Sequence, residues 1–381
     1  TIFTLADARL LHYYFNETDT ESFTQEQQRA VSGFGSFGSI ANLAAGAARL
    51  DPVYRFDTPV EEQGGEIAIS ALETNRYHPS IPDGIRATVY DHTVNVYGRV
   101  DDSLIAARPL DNVGVQYGLQ AFNEGLINAQ QFIALNRDIG GFDRDMNHIP
   151  QRHVADAQAS KMAIESGRVL FGGGGLANTP IIDYRSYTDN RENGDIHMIV
   201  HQFSTRERLL NANGHADNHV MTVGGLWGFE EDRPDLGNLF TQMDSWLMAM
   251  LDDTSTPNAV VKMRNAKPDT LVDNCWDNSG VSRENIAQEQ TFSGESRCNQ
   301  LYRAYPTARQ VAGGQLSNDV IKCQLKVLDR EDYLSALSDS QWMELQQVFI
   351  LGVCDWDKGD ASGASYQGTW ASFGPSTVNR L

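Results

Sequence analysis

The sequence predicts an α/β fold built on a doubly wound sheet, and three observations carry that expectation. Thr179-Pro180-Ile181-Ile182-Asp183-Tyr184 is an apolar, β-branched run after a proline, which reads as a buried strand. Residues 195–210 then read as a helix opened by Gly194-Asp195 and stopped at Asn213-Gly214, with Val220-Met221-Thr222-Val223 as a short strand behind it. Asp235 to Leu251 follows as an amphipathic helix, with Leu239, Phe240, Met243, Trp246, Leu247 and Met250 on one face. Strand, helix, strand, helix is the closing pattern of such a sheet.

The other elements follow in chain order. Residues 4–15 carry a helical stripe of Leu5, Ala6, Leu10, Leu11 and Tyr14. Helical character continues over 25–50, broken by Gly33-Phe34-Gly35-Ser36-Phe37-Gly38, a tight loop over a pocket or between helices. Between Ile85 and Val100 the β-rich pieces predict one or two hairpins in an insertion. Val115–Phe122 and Ala129–Asn136 read as helices, the second stopped near Gly140-Gly141, and Ala155 to Glu165 reads as another, stopped by Gly167. Gly172-Gly173-Gly174-Gly175 leads as a flexible loop into the strand at Pro180. The expected division is a helical and hairpin lid over 1–110, the carboxyl-terminal part of the α/β core over 111–255, and a cysteine-bearing region over 256–381.

Composition narrows the functional classes. The 381 residues are 41% hydrophobic and 21% charged, an ordinary globular balance. No stretch approaches the roughly 18 apolar residues of a membrane span. A formal charge of −20 repels phosphate backbones and anionic lipid, so nucleic-acid and membrane partners are not expected. The same charge keeps an exported protein soluble. Cys275, Cys298, Cys323 and Cys354 lack any C-x-x-C spacing; four cysteines in one late segment suit two disulfides in an oxidising compartment. If neighbours pair, each closed loop adds roughly 3 kcal/mol. Secretion or a periplasmic location is therefore expected. The amino terminus carries no initiator Met, basic region or apolar signal core, and reads as the product of a cut.

The strongest chemical constellation runs from Pro180 to His219. Asp189 follows the predicted strand, and His215 and His219 come 26 and 30 residues later, past the predicted helix. An acid after a strand, then a helix, then a histidine is how α/β-hydrolases deliver the acid and base of a triad. A carboxylate there orients the imidazole, which takes the nucleophile's proton.

Longer motifs carry a resemblance. Pro180-Ile181-Ile182-Asp183-Tyr184-Arg185-x-Tyr187-Thr188-Asp189, Gly194-Asp195-Ile196-His197, Phe203-Ser204-x-Arg206-x-Arg208-Leu209 and Asn213-Gly214-x-Ala216-Asp217-Asn218 resemble an exported bacterial α/β-hydrolase-like family of unknown function, distantly akin to tannases and oligohydroxybutyrate hydrolases. Asn318-Asp319-Val320-Ile321-Lys322-Cys323, Gly352-Val353-Cys354-Asp355-Trp356 and Gly368-Thr369-Trp370-x-Ser372-Phe373-Gly374 resemble its carboxyl-terminal part. The resemblance is good over 110–381 and looser before. It implies an α/β-hydrolase-like sheet with an inserted lid, and a serine-type hydrolase of ester or amide bonds that needs no cofactor or metal. Its substrate would be a small or oligomeric ester.

The sequence departs from that pattern in two places. No G-x-S-x-G elbow exists; the nearest serine, Ser36, lacks both the first glycine and a preceding strand. The serine is therefore expected in a preceding segment, possessed by a companion chain from the same precursor. Past Val223 the loop reads Gly224-Gly225-Leu226-Trp227, without the histidine usual in hydrolases.

Rival readings remain open. Thr1 could serve as an amino-terminal nucleophile, although it leads into a helix rather than a strand. His197 and His201 share a helix face at metal-ligand spacing, but H-E-x-x-H is absent and a hydrogen-bonded face is the plainer reading. Asp355-Trp356-Asp357-x-Gly359-Asp360 reads as a solvated turn rather than a calcium loop. Gly172 to Gly175 could cradle an oxyanion or be a plain linker. Arg206 and Arg208 could hold a substrate carboxylate or pair with acidic side chains. From another class, a non-catalytic exported binding protein on a hydrolase scaffold would also lack a nucleophile.

Overall fold

Apolar side chains divide the molecule into one large helical core and a small sheet covered on both faces. The computed structural model describes residues 2–18, 21–53, 76–101, 103, 105–226 and 233–368. Helix α1 (Ile2–Tyr13) buries the expected stripe of Leu5, Ala6, Leu10 and Leu11 and packs on α3 (Gly38–Gly46). Between them, α2 (Gln25–Ser32) starts at a reciprocal cap, with Thr24 Oγ1 accepting the Gln27 N–H and Gln27 Oε1 accepting the Thr24 N–H. It ends at Gly33, whose φ of 79° is the left-handed stop that a glycine permits.

Two expectations in the first half are corrected. No hairpin forms between Ile85 and Val100 among the described residues. Thr88 Oγ1 accepts the N–H groups of Tyr90 and Asp91, bending the chain into a helical turn at Val94–Tyr97. Only isolated bridges flank it, including Arg99 to Ala106. The helix expected from Val115 begins later, as α4 (Leu119–Asn123), because the Asn136 side chain binds both the N–H and the C=O of Tyr117. Residues 54–75 of the expected lid lie outside the described residues.

Helix α5 (Ala129–Asp138) starts at an Asn128–Gln131 capping box and leads into a short hairpin, β1 (Gly141–Phe142) and β2 (His148–Ile149). After α6 (Ala157–Glu165) the main sheet begins with β3 (Ile181–Arg185). Helix α7 (Val200–Asn213) returns the chain to β4 (His219–Val223), parallel to β3. It ends where the sequence predicts, at Gly214 with φ 71°. Helices α8 (Pro234–Asp252) and α9 (Ala259–Ala266) then lead to β5 (Asn274–Asp277), parallel to β4, and β6 (Glu284–Ala287) closes the sheet antiparallel.

The spatial order is β3-β4-β5-β6. Strand β4 is buried throughout and alternates its faces, as a central strand must. Met221 and Val223 meet Phe203 of α7 on one side, while Val220 meets Leu239 and Trp246 of α8 on the other. Helices on both faces make this a mixed α/β structure. On α8 the buried face is narrower than the sequence predicts: Leu239 and Trp246 are covered, whereas Phe240 and Leu247 are exposed.

Past the sheet come α10 (Arg297–Leu301), α11 (Ala308–Val311), β7 (Cys323–Lys326), α12 (Asp339–Val348) and β8 (Val353–Asp360). Neighbouring cysteines pair, Cys275 with Cys298 and Cys323 with Cys354. The acidic run at Asp355 is not a turn. It lies in β8, antiparallel to β7, and Asp360 accepts the N–H groups of Ile321 and Lys322.

The largest core draws on residues from Leu5 to Cys354, so all three sequence divisions contribute to it. A buried pair fastens its ends: Arg309 Nε donates to Asp7 Oδ2 at 2.9 Å, and the Tyr117 hydroxyl donates to Asp7 Oδ1 at 2.6 Å. Among the described residues no helix is long and apolar enough to cross a membrane.

Candidate active site

In parallel α/β sheets ligands gather at the carboxyl ends of the strands, and here that end of β3 runs into the loop 186–199. Backbone contacts fix the loop. Gly35 and Gly38 lie so close to it that an added Cβ would stand 2.2 Å from the Asp189 carbonyl oxygen and 2.0 Å from that of Glu192. Ser36 Oγ donates to the Glu192 carbonyl at 2.9 Å, and Asn42 Nδ2 donates to the Asn193 carbonyl at 3.1 Å. The glycine-rich run before α3 is thus a seat on which the loop lies.

Asp189 is buried inside this loop. Its carboxylate accepts the Ile199 N–H at 3.0 Å and 3.3 Å on its two oxygens. Burial pushes the carboxyl up to about 7 although those bonds pull it down. Its position ties the loop to the start of α7.

Six residues on, Asp195 gathers donors on one oxygen. Its Oδ1 accepts the His197 N–H at 2.8 Å and the Thr188 hydroxyl at 3.1 Å, and lies 3.1 Å from His197 Nδ1. Burial raises the Asp195 carboxyl, but bonding from His197 and Thr188 outweighs it and holds the group below the usual carboxylate range. The His197 imidazole is 70% exposed.

The structure does not bring Asp189 to either histidine chosen from the sequence. His219 begins β4 and is paired in register with Ile181, the first residue of β3. Asp189 follows the last residue of β3, so about four strand residues, on the order of 13 Å, separate the two ends. His219 is enclosed in a charge network. Its Nε2 lies 3.6 Å from Asp183 Oδ2, its Nδ1 accepts Arg206 Nε at 3.3 Å, and Arg206 forms a two-pronged pair with Asp273. His215, in the loop before β4, has Asp217 Oδ2 3.9 Å from Nδ1, beyond hydrogen-bond reach.

A helix that starts at Asp195, as the sequence predicts, hides the Asp195–His197 pair. The helix starts at Val200, and the Asp-x-His spacing was the available signal. Other candidates take structural roles. Arg206 is committed to Asp273 and the His219 carbonyl. Arg208 donates to the carbonyls of Ser317, Leu170 and Asn318. Gly172 packs against α7, where its carbonyl accepts Asn213 Nδ2 at 2.8 Å. No cluster of three or more metal-binding side chains forms among the described residues, and Thr1 lies outside them.

A family model described as a tannase-like family of unknown function (DUF6351) matches residues 1–364. The chain belongs to that family. No curated protein and no solved structure matches it. In this tannase-like chain the motif from Pro180 to His197 forms the strand and loop that carry Asp189, Asp195 and His197.

Proposed function

We propose that this tannase-like chain belongs to an exported serine-type hydrolase of ester bonds, with His197 as the base and Asp195 as the carboxylate that orients it. The observation that carries the reading is an exposed imidazole whose Nδ1 lies 3.1 Å from the Asp195 carboxylate, in the loop that follows a parallel strand. Its Nε2 takes the proton of a serine hydroxyl as the serine oxygen attacks the ester carbonyl. The imidazolium returns that proton to the departing alcohol. Water, deprotonated by the same nitrogen, then releases the acid from the acyl-enzyme. The serine comes from a segment outside this sequence, and Asp189 holds the loop in place. Export is supported by the two disulfides.

The test is turnover of a p-nitrophenyl ester, with fluorophosphonate labelling and intact-mass analysis of the purified protein. A companion segment should take up the probe. His197→Gln should lower kcat/KM by about 10³-fold or more, and Asp195→Asn by a smaller factor, with the fold retained. If His197→Gln leaves turnover intact and His215→Gln or His219→Gln abolishes it, the base is one of the histidines chosen from the sequence. If nothing labels and no ester turns over, the serine-hydrolase reading fails.

A further inference from the structure

A cavity of about 420 Å³ lies between the start of α1, helix α7 and the end of β3. The chain as a whole carries a charge of −20, yet Arg185 and Arg208 line this cavity, and Asp319 is the one carboxylate among its described lining residues. Arg208 is held by three backbone carbonyls and has no hydrogen bond to a carboxylate, so its charge is solvated but not neutralised. Asp319 acts on it from a distance and is itself occupied by the Ser317 hydroxyl at 2.8 Å. Arg185 spends only Nε on Asp183, at 3.2 Å.

Beside these cations sits His201. Its Nε2 is buried and has no hydrogen-bond partner. Burial, with positive charge nearby, pushes its pKa down to about 3, so the ring is neutral. A buried polar atom without a partner is destabilising, and so are guanidinium donors turned into a partly enclosed space without acceptors. One class of ligand relieves both.

We propose that this cavity binds a small oxyanion, a carboxylate or a phosphate, between Arg185 and His201. The oxyanion accepts from the terminal nitrogens of Arg185, whose planar fork suits either group. The neutral His201 ring, with its proton on Nε2, donates that N–H to the oxyanion. The apolar side of the cavity, formed by Phe3, Tyr90 and Tyr97, accepts a small organic body attached to the anion. The site stands on its own residues and does not depend on the role of His197.

Calorimetric titration of the purified protein with sodium phosphate and with sodium acetate, at ionic strength fixed by sodium chloride, tests it. Saturable binding of phosphate but not acetate identifies a phosphate site, and the reverse a carboxylate site; either supports the proposal. Arg185→Gln should weaken that binding roughly tenfold or more, whereas Arg137→Gln, an exposed arginine that does not line the cavity, should leave it unchanged. Nuclear magnetic resonance of the unmutated protein gives a reading free of folding effects, since the His201 ring signals should move on saturation. No saturable binding of either anion, equal loss in both variants, or an unmoved His201 overturns the proposal.

Discussion

At the scale of single residues, environment rather than residue type sets the chemistry of this loop. Asp189 and Asp195 are both aspartates six positions apart, yet burial raises one to about 7 while bonding from His197 and Thr188 lowers the other. The consequence for stability has a definite sign. The folded Asp189 holds its proton up to about 7, against 3.8 for the ordinary group, so its contribution is full below 3.8 and is lost as pH rises through 7. Asp189→Asn should remove that loss. Urea unfolding of the two proteins from pH 4 to 8 should show the variant gaining on the parent by on the order of 3 kcal/mol. Parallel pH profiles would sink the assignment. The sequence pointed to Asp189 as a special carboxylate; only its surroundings show it as a buried fastening rather than the partner of His215.

At the scale of elements, the loop 186–199 depends on a seat made elsewhere in the chain. Gly38 opens α3, and a methyl group there would meet the Glu192 carbonyl. Backbone cannot move aside as a flexible side chain can. Gly38→Ala should therefore destabilise the protein by about 1–3 kcal/mol, although alanine is the better helix former. If thermal unfolding is unchanged or rises, the loop is not seated as described. The strands at 181–185 and 219–223 and the helix at 234–252 were legible because proline, β-branching and a 3.6-residue period mark them locally. The start of α7 was not legible. Asp195 looks like a helix cap, but it caps a turn around His197, and Asp189 takes the Ile199 N–H four residues past Asp195. The hairpins expected near Thr88 failed for a similar reason, since one hydroxyl bonding to nearby N–H groups turned β-prone residues into a helical turn.

At the scale of the whole molecule, the two disulfides guard different regions. Cys275–Cys298 ties β5 to α10 beside the sheet, across 23 residues, and Cys323–Cys354 ties β7 to β8 against the large core, across 31. Each closes a loop worth roughly 3 kcal/mol. The double substitution Cys275→Ala and Cys298→Ala should cost about that much, and hydrogen exchange should quicken first in β5 and β6. Equal loosening of α1 and α3 would show that the two regions unfold as one.

By itself, the sequence determined the α/β class, the central strands and helices, the disulfide count and the family, because each is written in local periodicity, composition or contiguous motif. Tertiary structure alone decided which carboxylate meets which imidazole, and which arginines are spent on neighbours. Those outcomes depend on a strand's two ends lying about 13 Å apart and on a glycine seat some 150 positions away in the chain. Spacing along a chain fixes the order of residues, whereas hydrogen bonding and burial act across a few ångströms of space.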